Sequence, residues 1–360
     1  MQVLRSGVTT GICAAAAAKG AAIAMFTAQQ PDTVVIVAKN GVSIEFEIVG
    51  TIFTDDGGVI CSVIKDAGDD PDITNGVKVY AAVSRAADIK GVEIDGGEGI
   101  GRVTKPGLKV SVGKAAINPV PLEMIETAIN DVKQQFSHDG GIKVVISIPG
   151  GEELAKKTMN ERLGIIGGLS ILGTTGIVEP MSEKALIDTI KADIDVQVAS
   201  GLVELLVTPG NYGRDFASDE LGLDINDAIK CSNYIGDMLD YACTKEIEKI
   251  LLIGHAGKLV KLAAGIMNTH SAIADGRLEI IAAHSALVGA DASVIREIME
   301  CVSVQAAVEI LNRLGIGSAV WESIGNKIAY HLQNRIKGSI AVRYIVFTQE
   351  NGILCEGETK

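Results

Sequence analysis

A chain of 360 residues, 47% of them hydrophobic, has enough apolar material for more than one core, so two domains are expected. A formal net charge of −13 argues against a nucleic-acid binder, and 41 glycines against 4% aromatics favour tight strand-to-helix turns over an aromatic-rich binding surface. The six cysteines (Cys13, Cys61, Cys231, Cys243, Cys301 and Cys355) form neither a CxxC nor a zinc-type Cys/His spacing; they read as free thiols of a soluble, cytoplasmic protein with no metal of its own.

Near the N-terminus, residues 6–22 read SGVTTGICAAAAAKGAA. The apolar run is alanine rather than leucine, and Lys19 interrupts it, which fits neither a secretory leader nor a membrane span of roughly 20 apolar residues. A buried helix is expected instead, with Thr9 or Thr10 as cap and Gly11 permitting a tight entry. The free N–H groups of such an end favour an anion; an ordinary cap is the alternative. Residues 33–49 predict two strands around Asn40-Gly41, the strongest short hairpin signal. Strands are also expected at 59–70, 77–86 and 109–112, and an amphipathic helix at 121–136. These elements compose an α+β domain over residues 1–139.

From residue 140 to 360 the rhythm predicts an α/β domain with a mostly parallel sheet. Apolar strands are expected at 142–151 and 202–213, with a helix between them capped by Ser182 and ending near Ala199. Residues 249–267 run from strand through a glycine turn into a helix, and 277–289 look like a repeat of that pattern. Helices fill roughly 291–335, and 339–348 closes with a strand. In such sheets ligands bind at the carboxyl ends of the strands.

Four loops carry candidate chemistry. Gly254-His255-Ala256-Gly257-Lys258 lets a ligand approach backbone at a strand end, with His255, Lys258 and Lys261 nearby; it matches neither a Walker A loop nor GxGxxG. Pro209-Gly210-Asn211-Tyr212-Gly213-Arg214-Asp215 gathers an amide, an aromatic and an arginine between glycines. Gly96–Gly101, followed by Arg102 and Lys105, suits carboxylates or phosphates; a flexible loop is the plain alternative. Asp66-Ala67-Gly68-Asp69-Asp70-Pro71-Asp72 crowds four carboxylates without an EF-hand spacing. His138, His284 and His331 have no metal-type spacing, and Asn268-Thr269-His270-Ser271 reads as the end of a helix.

Seven stretches in one order resemble the CbiD family: SGVTTGICAAAAAKGAA, KDAGDDPDITNG, GGEGIGRVTKPGL, AINPVP, IPGGEELAKKTMNERLGIIGGLSILGTTGIVEPMS, TPGNYGRDFA and IGHAGKLVKLAAGIMNTHS. The resemblance is strong over about residues 4–290. It implies methyl transfer from S-adenosylmethionine to C1 of cobalt-precorrin-5B, giving cobalt-precorrin-6A in anaerobic cobalamin biosynthesis, with the cobalt carried by the substrate. It further implies that Thr9, Thr10, Gly11, Arg102, Lys105 and Arg214 face the substrate's carboxylates. Gly210, Asn211, Gly213, Gly254, Gly257 and Lys258 would hold the methyl donor, and the tetrapyrrole would lie between the domains. His255, Asp69 or Asp70 would move a proton if one must move. Val8, Ile12, Asn75, Lys114, Ala115 and Leu122 depart from the family pattern, which puts contacts around 114–122 in question. A small-molecule kinase of the GHMP type and a non-catalytic corrinoid carrier are the competing readings, and a homo-oligomer is left open.

Overall fold

The computed structural model describes residues 4–359. The chain divides into two compact units, Met1–Glu183 and Lys184–Lys360. The first begins with β1 (Gly7–Val8), α1 (Thr10–Thr27), β2 (Thr33–Val37), β3 (Ser43–Glu47) and β4 (Gly50–Phe53). It continues with β5 (Val59–Ile64), β6 (Lys78–Ala86), β7 (Val92–Gly96), β8 (Arg102–Val103) and α2 (Pro119–Gln135). It ends with β9 (Gly141–Ser147), α3 (Gly151–Ala155), β10 (Ile165–Ile166) and β11 (Ile177–Val178).

The main sheet of this unit has the order β4-β5-β6-β9-β7. Only the β7–β9 pair is parallel; β2 and β3 form the expected hairpin, with Gly41 at φ +85° in its turn. Helix α1 packs on α2, β5 and β6. Its length and composition alone would let it cross a membrane, but its alanines from Ala14 to Ala18 are wholly buried in the unit's core. Small side chains let the second helix and the sheet approach it closely. Residues 109–112 form no strand.

The strand expected to open the second domain belongs here instead. β9 pairs antiparallel with β6, from Tyr80 opposite Ser147 to Ala86 opposite Gly141. The reason lies in its alternation: Ile142, Val144 and Ile146 are fully buried, while Lys143 is exposed. A strand with one wet face suits a half-covered antiparallel sheet, not a sheet covered on both sides. The boundary expected at 139/140 therefore falls inside the first unit.

Helix α4 (Glu183–Ala199) starts at the junction, within one residue of the expected cap at Ser182. The second unit then runs β12 (Glu204–Thr208), α5 (Asn211–Asp219), β13 (Ile229–Lys230), α6 (Ile235–Ala242) and β14 (Lys249–His255). After β14 come α7 (Ala256–Leu259), a 3-10 turn (Val260–Ala264), α8 (Arg277–Leu287) and α9 (Ala292–Met299). The unit closes with α10 (Val304–Arg313), α11 (Gly317–Ile336), β15 (Ala341–Thr348) and β16 (Gly352–Glu358). Its sheet has the order β13-β12-β14-β15-β16, parallel except for the antiparallel edge strand β16.

Burial on both faces explains the apolar strands. Ile250 and Leu252 of β14 enter the large core with α6, α10 and α11, while Leu251 and Ile253 meet a smaller cluster around Phe216 and Phe347. Residues 277–289 form helix α8 rather than a second strand-turn-helix: Ile280, Ile281, His284 and Ser285 are buried at helical spacing. The hairpin partner β16 escaped the sequence reading because its burial is shallow throughout.

Candidate ligand site at the strand ends

In the second unit, β12 leads to β13 on one side, while β14, on the other side of β12, leads away to β15. The strand order therefore reverses between β12 and β14, where open α/β sheets bind ligands. The stretches 209–215 and 254–258, singled out from the sequence, lie at the ends of these two strands, where each turns directly into a helix, α5 or α7.

Several side chains converge there. Lys258 donates from Nζ to the Pro209 carbonyl at 3.4 Å, tying the β14 loop to the β12 loop. Lys230, at the end of β13, donates to Asn211 Oδ1 at 2.9 Å. Tyr212 is exposed, and its ring centre lies 6.2 Å from that of His255. The histidine also packs T-shaped with Phe347, ring centres 5.8 Å apart. Thr208, the last residue of β12, is fully buried, and its Oγ1 has no hydrogen-bond partner. The backbone around Asn233 is held by Thr269, whose N–H and hydroxyl both reach that residue. Thr269 belongs to the stretch read as a helix end, so the fold brings it to this side of the sheet by a route that sequence spacing does not reveal.

The electrostatics are cationic. Burial lowers the Lys258 pKa from the usual lysine value, and Lys230 and Lys261 lower it further. Lys261 is itself buried, but its ammonium is held by the carbonyls of Thr269 (3.0 Å) and Ala274 (2.8 Å). Burial pushes the Cys231 thiol up to about 12, so it stays protonated and is no nucleophile. Burial lowers the His255 pKa and keeps the ring neutral near pH 7. Its Nδ1 accepts the Gly257 N–H at 3.1 Å. A neutral imidazole has one acceptor nitrogen, so in this arrangement His255 donates through Nε2 and has no lone pair left for a proton. Of the proton-moving role expected of it, this arrangement leaves the giving of the Nε2 hydrogen rather than the taking of a proton.

The four glycines expected to hold the methyl donor differ. A Cβ at Gly213 would lie 2.6 Å from the Ile253 carbonyl, and one at Gly254 would lie 2.8 Å from Leu259 Cγ. Both serve internal packing. Gly210 faces open space in an extended conformation, and a Cβ at Gly257 would meet only the His255 ring, at 3.2 Å from Nδ1 and 3.7 Å from Cε1. Arg214, on α5, donates to the Ile225 carbonyl at 3.3 Å.

The first unit uses its candidate residues mostly on itself. At the start of α1, Thr9 accepts the Ile12 N–H, and Gly11 N–H donates to the Leu172 carbonyl at 2.9 Å. Thr10 Oγ1 accepts from Leu172 N at 2.9 Å and donates back to its carbonyl at 3.3 Å. The helix end expected to take a substrate carboxylate is thus closed by segment 172–176 of the same chain. That also removes the likeness to a kinase phosphate loop. Arg102 is bound to both oxygens of Asp95, at 2.7 and 3.0 Å, and to the Gly96 carbonyl. Lys105 reaches the Arg162 carbonyl at 3.4 Å and lies along Gly164.

The acidic turn is likewise internal. Asp66 pairs with Arg5, which holds its carboxyl down at about 2. Asp69 accepts the Arg5 N–H at 2.6 Å, and Asp70 accepts the Met181 N–H at 3.0 Å. Asp72 pairs at 2.6 Å with the buried Lys65; burial raises its pKa, but that partner and Thr74 outweigh it and the net shift is downward. Asn75, one of the family departures, accepts the Ala67 N–H in the same turn. Asp69 and Asp70 therefore anchor chain segments in the first unit, whereas His255 belongs to the second.

A mostly parallel sheet with polar and cationic groups at its switch point defines an α/β protein with a candidate site at its strand ends. The chain belongs to the CbiD family: the family model described as CbiD matches residues 1–180, and the one described as CbiD, C-terminal domain, matches residues 268–358. It is 51% identical over 348 residues to the cobalt-precorrin-5B C(1)-methyltransferase of Ruminiclostridium cellulolyticum, covering 97% of this chain and 90% of that one. It is 43% identical over 351 residues to the enzyme of the same name from Alkaliphilus metalliredigens, covering 98% and 92%. The crystal structure of cobalamin biosynthesis protein (cbiD) from Archaeoglobus fulgidus is 30% identical, with a TM-score of 0.41, covering 76% of this chain and 84% of that one.

Proposed function

We propose that this chain methylates C1 of cobalt-precorrin-5B, giving cobalt-precorrin-6A in cobalamin biosynthesis, with S-adenosylmethionine as donor. The observation that carries the reaction is the identity to the Ruminiclostridium enzyme, which runs through both units rather than through one motif. The donor supplies an electrophilic methyl group, and the ring carbon takes it by in-line displacement. Such a step depends on alignment more than on a strong protein base. The histidine that donates rather than accepts, and the carboxylates committed to structure, are consistent with that.

The donor's place in this reading is the switch point of the second unit. The residues fit a nucleoside with an amino-acid end: an open Gly210, an exposed Tyr212 for the base to lie against, Asn211 for a ribose hydroxyl, and Lys258 for the carboxylate. Gly257 lets the ligand approach the start of α7, while Gly213 and Gly254 hold the two loops in shape. Arg214, with a single carbonyl contact, is assigned to a substrate carboxylate. Arg102 holds the glycine loop through Asp95, and Lys105 covers Gly164.

The decisive experiment incubates the purified protein with cobalt-precorrin-5B and methyl-labelled S-adenosylmethionine. Label appearing at C1 is the expected result. A tetrapyrrole that stays unlabelled, with the protein folded, overturns the activity, and tight tetrapyrrole binding without turnover would make the chain a carrier.

A further inference from the structure

We propose that Lys258 and Lys230 form a carboxylate-binding subsite, closed on its inner side by the Thr208 hydroxyl. The inference rests on the placement of the ligand site at the β12–β14 switch point. Strand order carries the first part of the argument. β13 and β14 flank β12, so the two lysines come from opposite sides and meet one loop: Lys230 reaches Asn211 and Lys258 reaches Pro209, two residues apart. Two cations drawn to neighbouring points of one loop repel each other unless an anion joins them.

Charge pairing carries the second part. In the same unit Lys245, Lys249, Arg277, Arg313, Arg335 and Arg343 hold carboxylates, while the buried Lys261 is held by two carbonyls instead. Among the described residues no carboxylate pairs with Lys230 or Lys258, although the chain carries 45 acidic residues against 32 basic ones. Each ammonium has three donors and one protein contact, and that of Lys258 is long. The third part is independent: Thr208 pairs in register with Lys230, is fully buried, and keeps an unpartnered hydroxyl where such groups are normally satisfied.

A carboxylate answers all three features, because it accepts from two ammonium groups and a hydroxyl at once. Two sources have that chemistry: the amino-acid end of the methyl donor and an acid side chain of the tetrapyrrole. Titration calorimetry with S-adenosylmethionine, with 5′-methylthioadenosine, which lacks the amino-acid end, and with cobyrinic acid distinguishes them. The donor source predicts that Lys258→Met weakens S-adenosylmethionine about tenfold or more and leaves methylthioadenosine unchanged. The tetrapyrrole source predicts that only cobyrinic acid weakens. Lys258→Arg, which keeps the charge, should restore most of the affinity. Lys230→Met, an exposed substitution, repeats the test if Lys258→Met does not fold. Equal weakening of both adenosine ligands overturns the subsite and leaves the donor's placement standing. If all three affinities are unchanged, the subsite fails; Gly210→Val then decides the placement, which falls too if that variant binds S-adenosylmethionine normally.

Discussion

Two glycine-rich loops look alike as text and differ in structure. In the first unit, the loop from Gly96 to Gly101 crosses its own neighbours backbone against backbone. Gly99 has φ +72°, and a Cβ there would sit 1.9 Å from the Ile148 carbonyl; Cβ atoms at Gly151 and Gly168 would sit 2.3 and 2.4 Å from the Gly99 carbonyl. In the second unit, Gly210 leads away from a strand end with nothing within 4 Å. The first loop is small because protein fills the space. The second leaves space that protein does not fill. Glycine density alone therefore does not identify a ligand loop; what the missing side chain would have touched does.

The sharpest way to break this comparison is substitution on each side of it. Gly99→Val should abolish or gravely weaken folding, by about 4 kcal/mol or more, because both the left-handed backbone and the contact with Ile148 forbid the side chain. A normal melting temperature would show that the loop has the slack of an ordinary turn. Gly210→Val should leave the melting temperature within about a degree or two, since its φ of −173° is extended and its surroundings are open. S-adenosylmethionine affinity should nevertheless fall about tenfold in that variant.

The smallest expected effect is the pH response. His255, His284 and His331, all in the second unit, have pKa values lowered by burial. A histidine lowered in the folded state binds its proton more readily once unfolded, so its contribution is present above the unfolded value near 6.5 and is lost as pH falls below it. Asp66, Asp72 and Asp95 of the first unit are lowered instead, so their contribution persists until pH falls below the unfolded carboxylate value near 3.9. Between about pH 6.5 and 5, hydrogen-exchange protection, corrected for the intrinsic rate at each pH, should therefore fall in the second unit before the first. An equal loss of protection in both, or a loss in the first alone, would contradict this assignment.

Much of the architecture was legible. The Asn40-Gly41 hairpin, the alanine helix, the amphipathic helix α2 and the apolar strands β12, β14 and β15 follow from local pattern, because turn chemistry and burial periodicity are local quantities. β9 was misplaced because its neighbours, β6 and β7, are distant in sequence, and its short apolar run obscured the exposed Lys143. The loops proposed to hold the donor were legible as strand ends. Lys230 and Thr208 were not: one ends a two-residue strand, and the other looks like any polar residue closing a strand.

The sequence by itself determined the family, the two kinds of α/β architecture and the loops at the ends of β12 and β14, since collinear motifs and periodicity survive without coordinates. Only the tertiary structure decided which small and charged residues remain available. Segment 172–176 closes the Thr9-Thr10-Gly11 end, Asp95 takes Arg102, and the acidic turn binds Arg5 and Lys65. Strand order, in turn, brings Lys230 and Lys258 to one loop from either side. Availability is a property of partners, and most of these partners lie far away along the chain.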